Sequence, residues 1–270
     1  MEDLLLLLKY LLLGIFQGIT EPIPISSSGH LILLQEIIGV NFEGLTFEVI
    51  VNFASLIAVL LIYRESISKL FLGATNYLIN KRREDVADFR FVLYLVIGTI
   101  PAGLVGVLFG DLIAQHLTSV RVIGITLLVT GGALWLIRNL RGRKSDSELT
   151  LRDALIVGLA QAIALIPGIS RSGATIVAAM GLGMKQETAL KFSFLLYIPV
   201  SIGGIALAVT ELMMMPNVTD LLIPYFIAFL GSLVASYFSL KWFIGIMARG
   251  NLVYFSLYCF VTGGLVIMFL

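Results

Sequence analysis

Residues 14–34 read GIFQGITEPIPISSSGHLILL. Leucine-rich sequence precedes this stretch, yet it gathers Gln17, Glu21, two prolines, three serines and His30. Polar and ionisable groups are costly in hydrocarbon, so a cluster of them between apolar runs marks function. The residue before a proline is pushed out of the helical region, so a helix over 4–20 should stop at Glu21-Pro22. A second short apolar run, 29–40, follows the serines. The two pieces read as a helix–loop–helix that enters a membrane and returns. Its exposed backbone is tolerated only where protein or a wet cavity surrounds it.

The same form recurs at 158–183, GLAQAIALIPGISRSGATIVAAMGLG. At a constant offset of 144 residues, Gly14 matches Gly158, Gln17 matches Gln161 and Ile19 matches Ile163. Ile25 matches Ile169, Ser26 matches Ser170, Ser28 matches Ser172 and Gly29 matches Gly173. We read this as duplication, with a first repeat over about 1–137 and a second over about 152–270. A basic connection, 138–151, joins them in a single membrane domain, 1–270.

The rest of the chain agrees. Of its 270 residues 59% are hydrophobic and 13% charged, and the mean hydropathy is +1.01. A soluble domain is nearer a quarter charged. Full-length apolar runs fall at 45–63, 89–109, 120–137, 189–209, 221–243 and 252–270, each near the length that spans a bilayer. The expected fold is an all-α polytopic membrane protein with six full transmembrane helices and two re-entrant helix–loop–helix elements. A net charge of +1 gives no sign of a nucleic-acid partner. The single cysteine, Cys259, permits no internal disulfide and argues against a thiolate metal site. Glu2 and Asp3 stand where a cleavable signal would carry basic residues.

Basic residues concentrate in 64–90 and 138–152, and Lys241 and Arg249 flank a third connection; 110–120 and 211–220 carry none. This places the first three inside and the last two outside. The two broken elements then enter from opposite sides, as an inverted repeat, and both termini lie outside. Sites in such folds form where the broken helices meet near the midplane.

Gln17 and Glu21 share one helix face. Half-helices starting near Ser28 and Ser172 would aim free N–H groups at the centre, an arrangement that attracts anions. Arg171 adds a forked, permanently charged donor suited to phosphate. Glu21 can hold a divalent cation or pair with Arg171. His30 titrates near neutrality and can act as base, acid or nucleophile. Ser26, Ser27, Ser28, Ser170, Ser172 and Thr175 supply hydroxyls, although serines also cap helices. Glu48 and Asn52 share a face of the first full span and either line the cavity or link helices. His116 reads as a surface residue, and Lys185 and Lys191 as side chains snorkelling at a membrane edge.

These residues carry a likeness. GITEPIPISSSGH and PGISRSGAT closely resemble the two signature regions of the bacitracin-resistance type undecaprenyl-diphosphatases. TFEVIVNFASLIAV and KFSFLLYIPVSIGG are similar to that family too, so the likeness covers nearly the whole chain. It implies a hydrolase of the bacterial plasma membrane, with its cavity facing outside. Such an enzyme removes one phosphate from the C55 polyprenyl diphosphate carrier of cell-wall polymers. The family's catalytic serine and histidine map onto Ser27 and His30, its acidic motif onto Gln17 and Glu21, and its phosphate-binding arginine onto Arg171. A divalent cation, Mg²⁺ or Ca²⁺, is implied as well, and a homodimer is compatible with the pattern. Many members carry glutamate where this chain has Gln17, which weakens a metal site built from two carboxylates. The competing reading is a transporter or flippase for a polyprenyl phosphate or another anion, since broken helices in inverted repeats also build carriers. The Ser27–His30 pair favours hydrolysis, because a carrier needs no nucleophile.

Overall fold

The computed structural model describes residues 2–39, 46–214 and 218–270. Every regular element among them is helical, and the one β-type contact is an isolated bridge between Lys144 and Met184. Helix α1 (Glu2–Thr20) leads into the first break, and α2 (Ser27–Ile38) leaves it. Then come α3 (Thr46–Ile62), α4 (Arg64–Asn80), α5 (Val86–His116) and α6 (Val120–Ile137). The second break separates α7 (Leu151–Ile163) from α8 (Arg171–Gly181). Helices α9 (Gln186–Met214), α10 (Val218–Ala248) and α11 (Val253–Phe269) follow. The expected helix limits at Val40 and Leu45, and part of the connection expected over 211–220, lie outside the described residues.

Helices α5, α6, α9 and α10 are long and apolar enough to cross a membrane, and the bent pair α3–α4 makes a fifth if it is counted as one span. Helices α1 and α11 are apolar but shorter. The outer faces carry exposed large side chains, among them Val107, Leu136, Ile223 and Phe238. Such a surface suits lipid rather than water. The chain is a multi-pass membrane protein.

Without a hydrophobic force between helices in lipid, close packing and interhelical hydrogen bonds must hold them. Small residues provide the first. Helix α1 lies on α10 so closely that a Cβ on Gly14 would stand 2.7 Å from the Ala228 Cα. Helix α7 lies on α5 in the same way, and a Cβ on Gly158 would stand 3.0 Å from the Gly98 Cα. Gly14 and Gly158 are the first of the matched pairs. Serines provide the second: Ser232 donates to the Val51 carbonyl at 2.9 Å, Ser239 to that of Ile19 at 2.7 Å and Ser256 to that of Gly131 at 2.6 Å.

Two features depart from the sequence reading. Residues 64–80 are not a plain basic connection but helix α4, bent 74° from α3. Its Leu70, Gly73 and Ala74 are buried, and Tyr77 stacks on Phe89 with ring centres 4.7 Å apart. Phe71, Leu72, Leu78 and Ile79 face outward. Arg64, Glu65 and Lys69 break up the apolar run, so the helix does not read as a span. Lys191 does not simply snorkel either: its Nζ pairs with Asp146 at 2.8 Å, where Thr188 also donates. His116 is exposed, as expected, and ends α5.

The basic connection is tied down. Arg143 and Lys144 donate their N–H groups to the Gly183 carbonyl at 2.9 Å. Lys144 Nζ reaches both Asp153 oxygens at 2.9 Å, and Thr150 and Asp153 form a capping box that starts α7. Burial pushes the Asp153 carboxyl up, but the bonds from Lys144 and Thr150 outweigh it and hold the group below its usual range. A depressed carboxylate stabilises the fold above its unfolded value, near 4, and that contribution is lost as pH falls through the folded value. In thermal unfolding of detergent-solubilised protein, Asp153→Asn should be less stable than the parent near pH 7. The gap should close on acidification below about pH 4. Gly158→Ala should lower stability by about 1–3 kcal/mol, the usual range for overpacking, because its Cβ meets backbone rather than a movable side chain.

Candidate functional site

The first break is built by local chemistry. The Glu21 N–H still donates to the Gln17 carbonyl at 2.9 Å, which prolongs α1 by one residue before Pro22 stops it. Ser26 caps α2 with φ of 69°, a left-handed conformation that serine rarely adopts. Its carbonyl accepts from the His30 N–H at 3.2 Å and from the His30 ring at 2.8 Å. In the second break Gly168, with φ of 87°, makes the turn. Thr126 donates to the Pro167 carbonyl at 2.9 Å and Thr130 to that of Gly168 at 3.2 Å. Ser170 then caps α8 and accepts from the Gly173 N–H at 3.1 Å.

The two breaks touch. A Cβ on Gly29 would stand 2.9 Å from the Gly168 Cα, and one on Gly173 would stand 3.4 Å from Pro24. Ser172 Oγ donates to the Ile23 carbonyl at 3.5 Å. At this junction Arg171 pairs with Glu21 Oε1, while Ser27 Oγ donates to Glu21 Oε2. Gln17 Nε2 donates to Glu21 Oε2 at 3.0 Å and to Asn52 Oδ1 at 2.7 Å. The Arg171 guanidinium also lies over the Tyr197 ring, 3.6 Å from its centre. Tyr197 in turn donates to the Asn52 carbonyl at 2.8 Å.

A cavity of about 410 Å³ opens beside this cluster, the size of a small-molecule site. Glu21, Ser26, Ser27, Ser28, Ser170, Arg171 and Ser172 line it, so seven of the residues singled out in the sequence share one wall. Glu48 and Asn52, left open between two roles, line it too. Gln17 is fully buried behind Glu21. Thr175 lies away from this cavity, and its hydroxyl bonds to the Arg171 carbonyl at 2.9 Å and to Ser193 at 2.5 Å.

His30 stands apart from the cavity lining. The Ser26 carbonyl can only accept, so Nδ1 carries the proton there. Nε2 then accepts from the Tyr258 hydroxyl at 2.8 Å, and the two rings stack. Both ring nitrogens are thus used in holding the loop. Polar cavity residues that the sequence reading did not single out for the site include Tyr197, Gln161, Ser201 and Thr118. Tyr197 was hidden in an apolar run. Gln161 was noticed only as the partner of Gln17, and that pairing was the signal that could have found it.

Among the described residues no three His, Cys, Asp or Glu side chains gather as a metal site. The donors present nevertheless suit a hard cation. Gln17 Oε1 is buried without a hydrogen-bond partner beside the Glu21 carboxylate. Mg²⁺ commonly takes one or two protein oxygens and completes its shell with water and substrate phosphate.

The family model described as bacitracin resistance protein BacA matches residues 10–265. The chain belongs to the BacA family. Among its relatives is undecaprenyl-diphosphatase 2 of Bacillus thuringiensis, 59% identical over the full length of both chains. Undecaprenyl-diphosphatase 1 of Bacillus licheniformis is 58% identical over 99% of each chain. The undecaprenyl-diphosphatase of Oceanobacillus iheyensis is 55% identical over all of this chain and 98% of its own. The stacking of Arg171 on Tyr197 orients the guanidinium. A cation–π contact is worth about 0.5–2 kcal/mol, so Tyr197→Leu should lower kcat/KM for phosphate release about 2- to 30-fold. The check is steady-state kinetics on solubilised protein.

Proposed function

We propose that the chain is a bacterial membrane phosphatase that hydrolyses undecaprenyl (C55) diphosphate to undecaprenyl phosphate and inorganic phosphate, so recycling the lipid carrier of cell-wall polymers. The full-length relatives bear the name of that activity, and it fits the bacitracin-resistance name of the family. One observation carries the residue-level reading: Arg171 from one broken helix and Ser27 from the other converge on the same Glu21 carboxylate at a cavity wall.

Phosphoryl transfer needs mainly positioning and charge neutralisation. The first N–H groups of α2 and α8 have no intrahelical partners, and with Ser28, Ser170 and Ser172 they cradle phosphate oxygens. Arg171 binds the diphosphate as a fork. Ser27 Oγ attacks the terminal phosphorus and gives its proton to Glu21, to which it is already hydrogen-bonded. The bond to the bridging oxygen breaks, and the polyprenyl monophosphate leaves. Water then hydrolyses the phosphoserine and restores Ser27. His30 holds the Ser26 carbonyl and so the strained turn that presents Ser27. A bound Mg²⁺ or Ca²⁺, held by Glu21 and Gln17 Oε1, would supply further neutralisation of phosphate charge.

The architecture we infer around this site is an inverted repeat of six crossing helices and two re-entrant elements. The first repeat covers about 1–137 and the second about 152–270, with both termini and the cavity mouth outside. The equivalent seating of α1 on α10 and of α7 on α5, each through a matched glycine, supports it.

Phosphate release from C55 diphosphate by solubilised protein tests the reading. Release should stop with chelator and return with Mg²⁺ or Ca²⁺. Ser27→Ala and Arg171→Ala should each cost about 100- to 1000-fold in kcat, the scale for losing one preorganised charge-stabilising group. His30→Asn, which keeps a donor for the Ser26 carbonyl, should retain more activity than His30→Ala. Intact protein that releases no phosphate with metal present would overturn the assignment.

A further inference from the structure

Gln161 lies in the last turn and a half of α7 and is 1% exposed. Neither its Nε2 nor its Oε1 has a hydrogen-bond partner among the described residues. A buried amide carries two donors and an acceptor, and leaving all of them empty is costly. Nearly all buried polar groups in folded proteins are satisfied, so a doubly orphaned amide requires a reason. An apolar residue of similar volume would fill the place at lower cost.

Its surroundings point to that reason. Gln161 lines the same cavity as Arg171, Ser170, Ser172 and Glu48. One turn earlier, Gly158 seats α7 directly on the α5 backbone, which fixes the height of Gln161 against the cavity. Its match in the first half, Gln17, has its amide nitrogen committed to Glu21 and Asn52. The two glutamines therefore differ: the amide nitrogen of one is bonded within the protein, and the amide of the other is buried without a partner in the cavity wall.

We propose that Gln161 is a substrate-binding residue whose Nε2 donates to a non-bridging oxygen of the diphosphate head group, in the cavity that Arg171 also lines. The inference rests on the phosphatase reading above, and it adds Gln161 to Ser170, Arg171 and Ser172 as a fourth contact from the second half of the chain. The unpaired amide is stability given up in the free protein and recovered when the head group binds.

Gln161→Met tests it, with three measurements on solubilised protein. The thermal midpoint of the ligand-free variant should equal or exceed that of the parent, because an unsatisfied buried amide has been removed. The kcat/KM for phosphate release should fall about 10- to 100-fold, as for loss of a hydrogen bond to a charged group. Farnesyl diphosphate added with chelator should raise the midpoint of the parent but not of the variant. A structural glutamine would give the opposite pattern: a lowered midpoint, with kcat/KM within about twofold and an unchanged response to farnesyl diphosphate. That result overturns the inference while the parent still hydrolyses. A parent that is stabilised by farnesyl diphosphate but releases no phosphate would instead remove the hydrolytic reading. The binding role of Gln161 would then stand if the variant lost that stabilisation.

Discussion

The junction of the two breaks is organised around one ion pair. Arg171 and Glu21 come from helices 150 residues apart in sequence and meet where both helices are broken. Separately, either charge would be prohibitive in such apolar surroundings. Together they neutralise each other; Gln17 and Ser27 donate to the remaining carboxylate oxygen, and the Tyr197 ring covers a face of the guanidinium. A buried pair of this kind is weak support for stability, because desolvation offsets much of its attraction. Its worth is chemical. In the reaction we propose, a diphosphate entering the cavity would offer Arg171 a richer set of oxygens, and the carboxylate released from it is already in contact with the Ser27 hydroxyl. In that proposal, substrate binding and activation of the nucleophile are linked through one side chain.

Holding such a pair in place requires a rigid frame, and the frame is made of absent side chains. Gly14, Gly158, Gly124, Gly131 and Gly263 let helices approach to backbone contact. Serine hydroxyls on α10 and α11 then bond to neighbouring carbonyls. Close approach and interhelical bonds replace the hydrophobic core of a soluble protein. The connection 141–153 adds ion pairs of its own at one end of the bundle.

Much of this was legible in the sequence because membranes restrict what a chain can do. Apolar runs had to be helices, and proline-flanked serines between short runs had to be breaks. The limits of α6 agree with the apolar run to the residue. Helix α4 was missed because Arg64, Glu65 and Lys69 crowd its start, Thr75, Asn76 and Asn80 dilute the rest, and it lies bent from its neighbour, where hydropathy carries no span signal. The convergence of Glu21, Ser27 and Arg171 was foreshadowed by the matched residues at a constant offset of 144, which put similar side chains at the two breaks. The bonding of His30 was not. Tyr258 lies 228 positions away on α11, and no spacing rule connects them. Tyr197 and Gln161 were obscure for a related reason: an aromatic or an amide in an apolar run reads as packing until its neighbours are known.

The contact between Gly29 and Gly168 has a mechanical consequence. Carriers with broken helices work by alternating access, rocking one half against the other around a fixed ligand. Here the halves are seated backbone to backbone at the very place such a rocker would need slack. Parting them would also break the threonine bonds to the Pro167 and Gly168 carbonyls. The molecule is closer to a vice than to a hinge: its polyprenyl product would leave sideways, along the helix surfaces, without the jaws opening.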